Sequence, residues 1–132
     1  MIRRFIGAAI LVGALAACSA ASSTTPPAAS ATTATPPPGA VAITVMDFML
    51  SKPAITVAGP TVTFVVTNDG PTPHNVAVRN AGGKVLMTTH DLSRGQSETI
   101  SAAIPPGAYT TFCSLAGHES LGVKGTLTVT AP

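Results

Sequence analysis

The sequence predicts an all-β domain, a two-sheet sandwich of about seven or eight short strands over residues 40–132. Three observations carry this. The apolar residues there recur with period two rather than 3.6. Threonine and β-branched residues, which favour a pleated and half-buried surface, dominate the alternating runs. Turn-forming clusters separate the runs, and no stretch presents a helical face.

The elements follow in chain order. In VAITVM, Val41, Ile43 and Val45 share one face and alternate with Ala42, Thr44 and Met46. Ile55 and Val57 repeat the pattern. In TVTFVVT, Val62, Phe64 and Val66 point one way. Val76 and Val78 mark another strand, and in GTLTVT, Leu127 and Val129 oppose the threonines. Asn68-Asp69-Gly70-Pro71, Gly82-Gly83, Ser93-Arg94-Gly95 and Pro105-Pro106-Gly107 punctuate the chain between them.

The residues before this domain have other tasks. MIRRFIGAAILVGALAAC places Arg3 and Arg4 before an apolar run from Phe5 to Ala17, the layout of a secretory signal. That run is shorter than the roughly 20 residues of a spanning helix. Leu15-Ala16-Ala17-Cys18 resembles the lipobox of bacterial lipoproteins, which implies cleavage before Cys18 and lipid on its sulfur. Residues 1–17 are therefore expected to be a signal peptide and 18–39 a lipid-anchored, disordered linker of Ala, Ser, Thr and Pro. The linker has no charge and no large side chain to bury, so nothing offsets its ordering entropy. The expected location is the cell envelope, outside the cytoplasm.

Lys and Arg number 7 against 5 Asp and Glu, and Arg3 and Arg4 make up the difference. From Cys18 onward, Lys52, Arg79, Lys84, Arg94 and Lys124 balance Asp47, Asp69, Asp91, Glu98 and Glu119. Without a basic patch or a tryptophan, nucleic acid is excluded as a partner.

With Cys18 assigned to lipid, Cys113 has no partner for a disulfide. It is a ligand, a reactive thiol, or a small buried hydrophobe. His118 follows it after a short spacer containing Gly117, and His74 begins a strand behind Pro73. Two imidazoles and a thiolate at one end of a sandwich form a trigonal set that suits copper in either oxidation state.

PHNV around His74, the tract AYTTFCSLAGH and the closing GVKGTLTV together resemble the cupredoxins, the plastocyanin-like blue copper proteins. The resemblance extends over residues 40–132. It implies an eight-stranded Greek-key sandwich with one copper ion on His74, Cys113 and His118. It also implies that Asn75 ties the two ligand loops together by hydrogen bonds. Val123 departs from the pattern, since it stands where the family commonly has an axial methionine and it offers no donor atom. Three readings follow: a three-coordinate site of raised potential, an axial bond from Glu119, Met46, Met49, Met87 or water, or a domain that has lost its metal. Met46, Met49 and Met87 are expected to fill the core. His90, in a turn-like segment, is expected to be solvated.

The leading functional expectation is electron transfer without catalysis, by a monomer whose redox partner docks near His118. The apolar rim Leu115, Ala116, Gly117, Leu121 and Gly122 suits a brief contact below about 1,200 Å², with modest steering from Glu119 and Lys124. Copper delivery or storage is the second expectation, and a metal-free module that binds another protein by a sheet edge is the third.

Overall fold

The computed structural model describes residues 35–132. Residues 1–17, Cys18 and the linker as far as residue 34 lie outside the described residues. The described chain forms nine strands and one short helix: β1 (Val41–Met46), β2 (Met49–Leu50), β3 (Ala54–Ala58), β4 (Thr61–Asn68), β5 (Ala77–Arg79), β6 (Val85–Thr88), β7 (Ser97–Ala103), β8 (Gly107–Phe112), α1 (His118–Leu121) and β9 (Lys124–Thr130).

They build a β-sandwich of two mixed sheets. One has the order β2-β1-β4-β7 and the other β3-β9-β8-β5-β6. β1 runs parallel to β4, with Ile43 opposite Val66, and β3 runs parallel to β9, with Ile55 opposite Leu127. The remaining pairs are antiparallel, with Phe64 opposite Ile100 and Tyr109 opposite Leu127 among them.

The alternating residues face the core. Ile43, Val45, Val62, Phe64, Val66, Val76, Val78, Leu127 and Val129 are all buried there, together with Ile104 and Val123. Burying such side chains is the main favourable term for the fold, about 1.5–3 kcal/mol for each large one.

Three details differ from the sequence reading. The ninth strand is β2, only two residues long and paired with β1 as Met46 opposite Met49. α1 is the one helix among the described residues, and four residues are too few to carry a periodic signal. Met46 and Met49 do not fill the core: they are 36% and 54% exposed. They flank the turn that joins β1 to β2, at the edge of the first sheet. Met87 is buried in the core.

The connections leave the ends of β1, β4 and β8 and the beginnings of β5 and β9 at one tip of the sandwich. The site is built there.

Candidate metal centre

Each functional side chain is held by backbone bonds at that tip. His74 lies on the crossing from β4 to β5, where its N–H donates to Leu92 O (3.1 Å) and its carbonyl accepts from Leu92 N–H (2.7 Å). The preceding loop is fixed by buried Asn68. Its amide donates to Thr72 O (2.7 Å) and Leu92 O (2.8 Å), and its Oδ1 accepts from Gly70 N–H (2.8 Å). Cys113 follows β8 directly and donates its N–H to Val123 O at 3.0 Å. His118 opens α1, and its carbonyl accepts from Val123 N–H at 3.0 Å.

A four-residue helix cannot hold itself together. Outside anchors hold α1. Arg79 donates twice to Glu119, at 2.9 and 2.5 Å, and its guanidinium lies 4.2 Å from the Phe112 ring centroid. The pair holds the Glu119 carboxyl below its ordinary range and raises Arg79. At the far end, Gly122 has φ 125°, and a Cβ there would lie 2.8 Å from Phe48 O.

His74, Cys113 and His118 come together. Their ligand atoms all lie within 4.8 Å of one another, the group of that kind among the described residues. Cys113 Sγ is 3.6 Å from His118 Nδ1, and the two histidine Nδ1 atoms are 3.1 Å apart. For a common centre with bonds of roughly 2.0–2.1 Å to nitrogen and 2.3 Å to sulfur, adjacent donors sit roughly 3.4–3.8 Å apart. The 3.6 Å pair has that spacing, the 3.1 Å pair is a little shorter and the remaining pair lies within 4.8 Å, and one thiolate with two imidazoles is a donor set that fits copper. His74 is fully buried and Cys113 is 1% exposed, whereas His118 is half-buried.

Asn75 lies between the two loops. Its N–H approaches Cys113 Sγ at 3.5 Å, its Oδ1 accepts from Ser114 N–H at 2.8 Å, and its Nδ2 donates to Asp91 Oδ1 at 2.8 Å. Val123 is fully buried and has backbone bonds to both Cys113 and His118. Glu119, weighed as an axial donor and for steering, spends both carboxylate oxygens on Arg79. His90 lies apart from the cluster, with its ring 92% exposed and 3.1 Å from Glu98.

Sequence reasoning missed the turn between β1 and β2. Asp47 Oδ1 lies 2.7 Å from His74 Nε2 and accepts from Thr72 Oγ1 at 2.7 Å. These bonds, that from His74 first, hold the Asp47 carboxyl below its usual range. Phe48 sets its ring edge-on to both imidazoles, at 6.0 Å from His74 and 5.2 Å from His118. The available signal was a lone carboxylate inside the apolar run VAITVMDFML.

A two-sheet β-sandwich with a nitrogen and sulfur cluster at one tip defines the class of protein. The sequence profile described as "Cupredoxin-like domain" matches residues 8–129, and the chain belongs to that family. Among solved structures, a reduced auracyanin from Roseiflexus castenholzii is similar, with a TM-score of 0.63 and 22% identity over 69% of this chain and 96% of that one. Auracyanin B gives 0.64 and 20% over 74% and 92%, and an azurin of Methylomonas sp. strain J gives 0.60 and 21% over 68% and 96%. At such identities the likeness concerns the fold. No curated protein matches the sequence.

Proposed function

We propose that the protein is a type 1 copper electron-transfer protein of the bacterial cell envelope. In this reading His74, Cys113 and His118 hold the ion, Val123 occupies the axial position without a donor, and lipid on Cys18 anchors the chain. The observation that carries it is the convergence of three donors from two loops, with His74 and His118 44 residues apart in sequence.

When bound, copper supplies one-electron exchange between Cu(I) and Cu(II). The chain's part is to hold the donors still, so that little has to move when the charge changes. Buried Cys113, with the Asn75 N–H near its sulfur, supplies a thiolate kept from water. The bridge to Leu92 and the bonds to Val123 fix the backbone of all three donors. His118 is the least covered of them, and Leu121 beside it is 60% exposed. A redox partner is thus expected to dock over His118.

Addition of Cu(II) to the purified protein with Cys113 reduced is expected to produce an intense visible band from thiolate-to-copper charge transfer. Cys113→Ser should abolish it. A colourless wild-type mixture with its thiol intact would refute the reading. Reversible voltammetry with slow copper loss favours electron transfer over delivery.

A further inference from the structure

The turn between β1 and β2 points to a second layer of control over the centre. We propose that Asp47 is a positioning residue: its carboxylate fixes the tautomer and orientation of His74 and lowers the reduction potential of the site. The redox half of this inference rests on the copper reading above. The tautomer half does not.

The proton count around Asp47 fixes the tautomer of His74. An ionised carboxylate only accepts hydrogen bonds. Thr72 has one hydroxyl hydrogen, which it donates to Asp47 Oδ1 at 2.7 Å. The contact between His74 Nε2 and the same oxygen, also 2.7 Å, then requires the proton to be on Nε2. Thr72 Oγ1, 3.0 Å from Nε2, adds a weaker acceptor for that proton. Nδ1 is left with its lone pair aimed toward His118 Nδ1 and the cluster. His74 is fully buried, so no bulk water competes for Nε2.

The carboxylate also fits closely against the loop before His74. A Cβ on Gly70 would collide with Asp47 Oδ1 and come within 3.1 Å of the Asp47 backbone nitrogen. Gly70 is not among the glycines of positive φ, so backbone conformation does not demand it. Close approach of Asp47 does. Asn68 Oδ1 accepts from Gly70 N–H, which ties Asp47, His74 and the loop before it into one unit.

The consequence follows from charge. A carboxylate on the far nitrogen of a ligating histidine makes the imidazole a better donor. A negative charge close to the ion also favours the more positive oxidation state. Both effects stabilise Cu(II). They act against Val123, whose lack of a donor favours Cu(I).

The test compares Asp47→Asn, Asp47→Ala and Gly70→Ala with the wild type. In the metal-free protein at a pH where both rings are neutral, ¹⁵N NMR should find His74 protonated on Nε2. Asp47→Asn keeps an acceptor and should retain that tautomer. Asp47→Ala should populate both. In the copper-loaded protein, Asp47→Asn should shift the Cu(II)/Cu(I) balance toward Cu(I) by about tenfold or more, ~59 mV upward per tenfold. Gly70→Ala should shift it the same way but less. Thermal melts show whether the variants fold. A wild-type His74 protonated on Nδ1, or an unchanged tautomer in a folded Asp47→Ala, overturns the positioning role. An Asp47→Asn potential at or below that of the wild type overturns the tuning role. A wild type with the expected tautomer that takes up no copper supports the positioning role and overturns the tuning role together with the copper reading.

Discussion

At the scale of single residues, the proposed potential of the centre is set by two opposing side chains, Val123 and Asp47. Val123 is fully buried, and its backbone bonds to His118 and Cys113 keep it against the site. Its side chain brings no electron pair. Val123→Met would introduce a thioether that stabilises Cu(II), so the reduction potential should fall. Voltammetry checks this, and a potential that stays or rises would show that position 123 does not face the ion. The longer side chain enters a filled core, so a loss of about 1–3 kcal/mol in stability should accompany the change. Neither Asp47 nor Phe48 belongs to the motifs that locate the three donors. Their roles appear only when the β1–β2 turn is seen folded over His74.

Among the elements, α1 is the least able to stand alone and the one that presents His118. Two anchors hold it, and their magnitudes differ. The Arg79–Glu119 pair is partly exposed, with side chains 29% and 33% accessible. Such a pair is worth no more than about 1 kcal/mol. Glu119→Gln should therefore lower the melting temperature only slightly and leave the copper spectrum in place. Gly122 has a conformation that L side chains rarely adopt, and it lies against Phe48 O. Gly122→Ala should cost about 1–3 kcal/mol. Because Phe48 touches both imidazoles, it should also perturb the visible band. Equal effects from the two variants in melts and spectra would show that the turn contact does not govern α1.

Across the whole molecule, the sandwich is a frame that places chain segments far apart in sequence at one tip. Phe64 sits fully buried in β4, between the parallel partner β1 and the antiparallel partner β7. Phe64→Ala should cost about 3–5 kcal/mol, measured by denaturant unfolding. A smaller loss would mean that the core closes around the gap. The burial of this strand was legible beforehand, because Val62, Phe64 and Val66 alternate with threonine and valine. β7 was harder to read: in SETISAA the inward positions are Glu98, Ile100 and Ala102, only one of them large and apolar. The parallel pairings of β1 with β4 and of β3 with β9 left no local trace, since pairing partners far apart in sequence are chosen by sheet closure.

The sequence by itself determined the all-β class, most of the buried strand positions and the residue types of the donor set. These are local properties, set by side-chain period and by the chemistry of His and Cys. Only the tertiary structure decided that Asp47 meets His74, that Phe48 covers both imidazoles, that Glu119 turns to Arg79 and that Met46 and Met49 face outward. Those contacts join segments whose distance in sequence carries no information about their distance in space. They are set by which strand ends share a tip of the sandwich.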